Sequence, residues 1–167
     1  MKYFIGIFLL CMLFSCKSDQ ELHLDKINDL QFQLVDTDLK TNLEISQELV
    51  IELENYLSKY QDSINMPDHY MQLADLYTHS LQLPIKGLYF FQKVNTDFPN
   101  YEKAPLALFY QGFVLENYMG QLQQAKSVYE SFLTSYPKHE LSETVRLSIQ
   151  QLGVPLEDLV KQFENKN

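Results

Sequence analysis

Two stretches of the chain that lie 38 residues apart decide the fold. Residues 68–100 read DHYMQLADLYTHSLQLPIKGLYFFQKVNTDFPN, and residues 106–138 read LALFYQGFVLENYMGQLQQAKSVYESFLTSYPK. Pairs that match at this offset include Ala74 with Gly112, Gly87 with Ala125, Phe91 with Tyr129 and Pro99 with Pro137. Residues 53–60 resemble the end of both stretches one period upstream. A period of about 20 to 50 residues predicts a solenoid of stacked units.

Each stretch has the pattern of two amphipathic helices, A and B, joined by a turn. In the second stretch apolar side chains recur every three or four residues on both sides of Gly120, which is the spacing of one helix face. The prolines that begin or end helix B are Pro84, Pro99 and Pro137. Glycine within a helix costs about 1 kcal/mol relative to alanine, so it needs a packing reason. We therefore expect Ala74 and Gly112 on helix A to face Gly87 and Ala125 on helix B, where the two axes cross closely.

This pattern resembles the tetratricopeptide repeat. The matching residues are Leu73, Ala74, Tyr77, Gly87, Phe91 and Pro99 in the first stretch and Gly112, Gly120, Ala125, Tyr129 and Pro137 in the second. The chain differs in having no tryptophan and a period longer than the usual 34 or so residues. The extra length lies near the A–B turn and in residues 100–105. The resemblance implies an all-α fold, a short right-handed α-solenoid of antiparallel helix pairs with about seven helices. Its longer spacing is similar to that of tetratricopeptide lipoproteins of outer-membrane assembly and of the Tol–Pal system.

The sequence divides into six predicted parts. The predicted parts are a lipoprotein signal peptide at 1–15, a lipidated tether at 16–21, a degenerate first helix pair at 22–67, repeat 1 at 68–105, repeat 2 at 106–139 and C-terminal capping helices at 140–167. Within the first pair we expect a helix at 22–35, and Thr41 with Glu44 predicts a capping box that opens the next helix. Near the C-terminus we expect a helix at 140–152, ended by Gly153, and a short one at 155–163.

The N-terminus has the pattern of an export signal. Lys2 precedes an uncharged stretch, residues 3–15, which is too short for a membrane span of about 20 residues. Residues 13–16, LFSC, resemble the lipobox of bacterial lipoproteins. That resemblance implies that Cys16 carries acyl chains such as palmitate, which anchor a protein stably when two or more are present. Because Lys17 rather than aspartate follows, the resemblance favours the outer membrane, facing the periplasm or the cell surface.

Composition narrows the class of partner. The 167 residues are 46% hydrophobic and 21% charged, which suits one globular domain. The formal net charge is −9, with 13 Lys and Arg against 22 Asp and Glu. Nucleic-acid binding needs a basic surface from which counterions are released. We therefore expect no nucleic acid as a partner. The resemblances to lipoproteins imply envelope proteins or peptides as partners, with membrane contact through the acyl chains on Cys16.

Motifs for catalysis, metals or cofactors do not occur in the sequence. It has no GxSxG, P-loop or GxGxxG motif. Removal of residues 1–15 would leave Cys16 as the one thiol, and lipid would cap it. The four histidines, which are His23, His69, His79 and His139, lack metal-ligand spacing and are expected to be solvated or to face a groove. We therefore expect no enzyme activity, no metal and no cofactor, and we do not favour a small-molecule ligand.

A partner-binding groove is predicted on the side of helix A that faces away from helix B. By the family geometry its residues are Met71, Asp75, Thr78, His79, Phe109, Phe113, Glu116 and Asn117. Apolar anchors beside acids and amides suit an extended or helical peptide. An alternative remains open, in which Phe109 and Phe113 pack against the neighbouring repeat.

The predicted function is that of a non-enzymatic, lipid-anchored scaffold or adaptor of the bacterial cell envelope, which binds proteins through this groove. By resemblance, the process is outer-membrane protein assembly or envelope maintenance. The alternative is a lipoprotein that captures glycan or peptidoglycan fragments. The lack of tryptophan and the core-facing spacing of Tyr56, Tyr77 and Tyr129 weigh against that alternative.

Overall fold

The computed structural model describes residues 17–34, 39–61, 64–154 and 158. These residues form seven α-helices, which are α1 (Asp19–Gln33), α2 (Leu39–Lys59), α3 (Met66–Asp75), α4 (Pro84–Asp97), α5 (Ala104–Asn117), α6 (Leu122–Ser135) and α7 (Ser142–Gln151). The helix that begins with α3 continues as a π-helical turn, Leu76–Ser80. The predicted all-α class is confirmed. Two predictions lie outside the described residues. One is the signal peptide with Cys16, and the other is the helix at 155–163, of which only position 158 is described.

Each helix packs against the next one in the chain. Helices α1 and α2, α3 and α4, and α5 and α6 form sequential pairs, and α7 packs on α6. One group of buried apolar side chains joins α1 through α4 and reaches into α5, and a second joins α5, α6 and α7. In a solenoid each unit contacts its neighbours in this way, so the described helices have the architecture of a tetratricopeptide-like helical repeat.

The tyrosines predicted to face the core are buried. Tyr56 and Tyr129 are fully buried, and Tyr77 is 3% exposed. Each hydroxyl has a polar partner, as a buried tyrosine requires. Tyr77 donates to a Glu54 carboxylate oxygen at 2.7 Å, and Tyr129 donates to one of Glu116 at 2.8 Å. The default role of these tyrosines in core packing is therefore confirmed.

The 38-residue period recurs in the backbone hydrogen bonds. At the ends of α2, α4 and α6, an amide donates to the carbonyl four residues earlier, in the pairs Tyr60 to Tyr56, Phe98 to Val94 and Tyr136 to Phe132. At the starts of α3, α5 and α7, the corresponding pairs are His69 to Asn65, Ala107 to Lys103 and Val145 to Leu141. The third member of this series places α7 in the position of a third helix A.

The turns between helices A and B also match. The Leu81 amide donates to Leu76 at 2.9 Å, and one period later the Met119 amide donates to Val114 at 3.2 Å. Each bond spans five residues rather than four, which accommodates the extra residue predicted near this turn. The following residue is left-handed in both turns. It is Gln82 in the first, with φ of 54°, and Gly120 in the second, with φ of 63°.

Substitution by alanine should have different effects at the two left-handed positions, Gly120 and Gln82. In Gly120→Ala a side chain enters a left-handed backbone, which costs about 1 kcal/mol of unfolding free energy. No heavy atom lies within 4 Å of a β-carbon built on Gly120, so the loss reports backbone strain alone. In Gln82→Ala the strain is already present, and we expect a much smaller change. Thermal unfolding of both variants checks this, and equal melting temperatures would contradict it.

The small residues lie where helices A and B cross. A β-carbon on Gly87 would lie 2.8 Å from the Ala74 carbonyl oxygen and 2.0 Å from Oγ1 of Thr78. The predicted approach of Ala74 to Gly87 is therefore confirmed. In the second unit, a β-carbon on Gly112 would lie 2.3 Å from Cε1 of Tyr129. Gly112 thus makes room for the aromatic ring of helix B, which the sequence pattern did not predict.

The first helix pair differs from the prediction at both helix starts. Helix α1 begins at Asp19 because Ser18 and Glu21 form a capping box. The Ser18 hydroxyl accepts from the Glu21 amide at 3.2 Å, and Glu21 accepts from the Ser18 amide at 2.6 Å. The box predicted at Thr41 was wrong, because α2 already begins at Leu39 and Thr41 lies inside the helix.

Candidate functional site

The predicted residues of repeat 2 line a groove between α5 and α7, which we call the inner groove. It has a volume of about 430 Å³, and its lining residues are Phe113, Glu116, Asn117, Leu122, Ser148, Gln151, Gly153 and Val154. Helix α5 supplies the first three, and α7 with the residues after it supplies the last four. The groove combines an aromatic ring with a carboxylate and side-chain amides, which suits a peptide that offers both apolar and polar groups.

The Glu116 side chain is oriented by a hydrogen bond from a core residue. Its carboxylate accepts a hydrogen bond of 2.8 Å from the hydroxyl of the fully buried Tyr129. Burial and the adjacent Glu116 carboxylate both raise the pKa of Tyr129, so its hydroxyl stays protonated and continues to donate. Asn117 donates to the Phe113 carbonyl at 3.1 Å. The acid and the amide therefore have defined orientations before any partner binds, which lowers the entropy cost of binding.

The predicted residues of repeat 1 form a polar cluster that one aromatic residue links to this groove. Nε2 of His79 lies 3.5 Å from an Asp75 carboxylate oxygen, and both side chains are exposed. Nδ1 of His79 lies 2.5 Å from the Tyr118 hydroxyl. The ring of Tyr118 packs against Phe113 with centroids 6.2 Å apart. Tyr118 thus connects the two predicted sets across the ends of successive A helices.

Two residues predicted for the groove point elsewhere. Thr78 is fully buried, and its hydroxyl donates to the Ala74 carbonyl at 2.7 Å. The reason is Gly87, whose missing side chain leaves space at the helix crossing that Thr78 fills. Met71 is half-buried and packs against the core formed by α1 to α5. The expectation that Thr78 lines the groove was therefore wrong, and Met71 contributes to packing.

The sequence left open whether Phe109 and Phe113 line the groove or pack against neighbouring helices, and the two residues differ in this respect. Phe109 is half-buried and packs against Tyr110, Phe113 and Tyr129, with ring centroids 5.6 to 6.4 Å apart. Its role is packing in the core formed by α5, α6 and α7. Phe113 is also half-buried, but it lines the inner groove as well. Of the pair, Phe113 is the candidate apolar anchor.

The side of the inner groove that α7 and the residues after it supply was not predicted. Gln151 and Val154 lie one period of 38 residues after Phe113 and Glu116, and both line the groove. The signal that identifies them is the period itself, continued once more past residue 138. Because residues 140–167 were assigned to capping helices, the contribution of Gln151 and Val154 to the groove was not predicted.

His69 was expected to be solvated or groove-facing, but it is buried at 9% exposure. The equivalent positions one and two periods later hold Ala107 and Val145, which are fully buried. The ring of His69 packs edge-on against Tyr56, with centroids 5.1 Å apart, and its Nε2 has no hydrogen-bond partner. Burial lowers the pKa of His69 below its usual value, although the nearby Asp68 opposes that shift.

This burial predicts a pH-dependent stability. The unfolded chain binds a proton at His69 near pH 6.5, whereas the folded chain resists it until a lower pH. The contribution of neutral His69 to the free energy of unfolding is complete above about pH 6.5. It is lost as the pH falls toward the pKa of His69 in the folded state. From about pH 7.5 to about pH 5 we therefore expect the wild type to lose more unfolding free energy than His69→Ala, because only the wild type has this buried imidazole to protonate.

Urea unfolding at the two pH values measures this difference, with Gln123→Ala on the exposed surface of α6 as the control. The control should keep the wild-type pH dependence. A His69→Ala protein that lost as much stability as the wild type would contradict the prediction.

Among the side chains that the structure describes, no group of three or more His, Cys, Asp or Glu residues is arranged to hold a metal ion. In residues 17–34, 39–61 and 64–154, no helix is long and apolar enough to cross a membrane. A comparison with curated proteins gives no match to this chain.

The model of the tetratricopeptide-repeat family matches residues 106–139. This range contains most of α5 and all of α6, the helix pair whose first member lines the inner groove. Residues 106–139 are therefore a tetratricopeptide repeat, and the resemblance predicted for them is confirmed. Such repeats are usually non-catalytic modules that bind other proteins, and no catalytic family was found. A tetratricopeptide domain implies protein partners in general.

Proposed function

We propose that this protein is a non-enzymatic scaffold of the bacterial cell envelope that binds protein partners through the inner groove. The observation that carries the proposal is the groove between α5 and α7, which is lined in part by the matched repeat. Phe113 supplies the apolar anchor, and Glu116 and Asn117 supply polar contacts on the same helix. An extended or helical peptide from a partner fits this combination.

The proposed location rests on the sequence of the N-terminus. Residues 13–16 resemble a lipobox, and acylation of Cys16 would tether the helical repeats to the outer membrane. The process we propose is outer-membrane protein assembly or envelope maintenance, which follows from the resemblance of the repeat spacing to lipoproteins of those systems. The glycan alternative would need flat aromatic rings open to solvent in the groove. Phe113 is instead half-buried against Phe109 and Tyr118, which favours the protein-binding proposal.

The test is recovery of partners with a variant that neutralises two acids, Glu116 in the inner groove and Asp75 in the polar cluster that His79 and Tyr118 link to it. Asp75→Asn with Glu116→Gln removes two negative charges, and the new amide side chain on α5 still offers an oxygen to the Tyr129 hydroxyl. We expect the proteins that co-purify with the wild type after crosslinking in cells to fall at least about tenfold, since one or two lost charged contacts are worth about 1.4 kcal/mol or more. Glu130→Gln on the exposed surface of α6 is the matched control. Unchanged recovery with this variant would show that neither acid contributes to binding and would contradict the polar part of the proposed site.

A further inference from the structure

Two adjoining cavities form a cleft along α4, which we call the aromatic cleft. The larger cavity, of about 490 Å³, lies between α2 and α4 with α3 at its base, and the smaller, of about 270 Å³, lies on α4 itself. Tyr89 and Lys93 line both cavities. Neither cavity shares a lining residue with the inner groove. The cleft is therefore a different surface from the proposed partner site.

The ring of Tyr89 gives the cleft a flat apolar surface that is open to solvent. Tyr89 is 57% exposed, and its ring meets the half-buried Phe90 ring at 74°, with centroids 5.1 Å apart. The Phe90 ring in turn stacks on the buried Tyr70, with centroids 5.9 Å apart. Packing against rings that are themselves packed fixes the position of Tyr89, so little freedom is lost when a ligand covers it.

The helical repeat does not require these rings. One period after Tyr70, Tyr89 and Phe90, the chain has Leu108, Ser127 and Val128. The second unit folds in the same way with one leucine, one serine and one valine at these positions. Aromatic side chains that the fold does not need, and that reach the surface, indicate a binding site.

The charged side chains of the cleft are compensated within the chain. Lys93 donates to an Asp97 carboxylate oxygen at 2.6 Å. The Glu54 carboxylate accepts a hydrogen bond of 2.7 Å from the Tyr77 hydroxyl, and that hydroxyl accepts one of 3.3 Å from Lys86. A ligand with a strong charge of either sign therefore gains little attraction here, and the cleft suits a neutral ligand.

The polar groups of the cleft still have capacity for hydrogen bonds of both kinds. A carboxylate accepts more than one hydrogen bond and an ammonium group donates more than one, so Glu54, Asp97 and Lys93 can all bind a further group. Gln92 and Thr96 add an exposed amide and an exposed hydroxyl to the smaller cavity. A ligand rich in hydroxyl groups matches such a site, because each hydroxyl both donates and accepts.

We propose that the aromatic cleft binds a neutral saccharide. The C–H groups on one face of a sugar ring carry a small positive charge and pack on the negative face of the Tyr89 ring. Glu54 in the larger cavity and Gln92, Thr96 and Asp97 in the smaller bind sugar hydroxyls. Because Tyr89 borders both cavities, a chain of two or more sugar units fits along the cleft. The proposal does not depend on the function assigned to the inner groove.

The test is saturation-transfer NMR on the full-length protein in a detergent that has no sugar headgroup. The probes, used separately, are triacetylchitotriose, cellotriose and maltotriose, which are neutral trisaccharides. We expect at least one of them to bind the wild type in the millimolar range, with the strongest transfer to the ring C–H protons of one sugar unit. Tyr89→Ser should bind that probe about tenfold more weakly. Position 127 already holds serine, so the fold tolerates this change.

Tyr89→Phe keeps the ring and should retain most of the binding. Ile85→Gln is the matched control, because Ile85 is 71% exposed on the same helix but lines neither cavity, and position 123 already holds glutamine. Weak binding by Tyr89→Ser alone among these three variants supports the proposal. A wild type that binds no probe at millimolar concentration, or a Tyr89→Ser protein that binds as tightly as the control, would overturn it. A photocrosslink from position 89 to another protein would then assign the cleft to a protein partner.

Discussion

Replacing Gly112 with leucine should lower the unfolding free energy by about 3 kcal/mol, the upper range for overpacking a core. Even the first carbon of the new side chain would lie 2.3 Å from Cε1 of Tyr129. The ring cannot move aside easily, because Tyr129 is fully buried and its hydroxyl is bound to Glu116. Helix A and helix B of the matched repeat would have to separate instead. For a domain of this size the loss corresponds to a fall of about 10 °C in melting temperature.

Circular dichroism during heating measures this fall, with Gln124→Leu as the matched control on the exposed surface of α6. The control adds the same leucine to a helix and should change the melting temperature little. In a protein that already carries Tyr129→Ala, adding Gly112→Leu should cost less unfolding free energy than it does in the wild type, because the clash is with that ring. A melting temperature for Gly112→Leu equal to that of the wild type would show that the two helices do not cross at this glycine.

Cys16→Ser should abolish acylation. If residues 13–16 are a lipobox, the thiol of Cys16 receives the lipid, and serine offers no thiol for a thioether. Cells grown with a labelled fatty acid should incorporate the label into the wild-type protein and not into the variant. The label should therefore be present in the wild-type protein and absent from the variant. The variant should also lose its membrane anchor, since two or more acyl chains hold a protein stably on a bilayer.

Cys11→Ser is the matched control, because Cys11 lies within the predicted signal peptide. This variant should incorporate the label as the wild type does. Recovery of an unlabelled wild-type protein in the soluble fraction would remove the envelope location from the proposed function. It would leave the proposal for the inner groove in place, since the described residues that line this groove run from Phe113 to Val154.

The helix pairs of the two repeats were predictable because their signals are local. The apolar spacing, the prolines beside helix B and the glycine in the turn each depend on a few consecutive residues. Close crossing at Gly87 was also predictable, since a helical glycine needs a packing reason. These features suffice for the all-α class and for the ends of α4 and α6 that lie beside Pro84, Pro99 and Pro137.

Burial of individual side chains was less predictable because it depends on what the facing helix carries. Thr78 and its periodic equivalent Glu116 were both predicted to line the groove. Gly87 opposite Thr78 leaves a space that the threonine fills. His69 similarly takes a core position that Ala107 and Val145 take elsewhere, and nothing in its neighbouring residues signals this. Helical spacing identifies a face, but the partner helix decides how deep each side chain lies.

The central claim, that the inner groove binds a protein partner, is tested most directly by site-specific photocrosslinking in intact cells. A photoreactive amino acid at position 117 stands in the groove, and one at position 130 stands on the exposed surface of α6. We predict that light produces a discrete crosslinked product of higher mass from position 117 and none from position 130. The same product from both positions, or none from position 117, would contradict the claim.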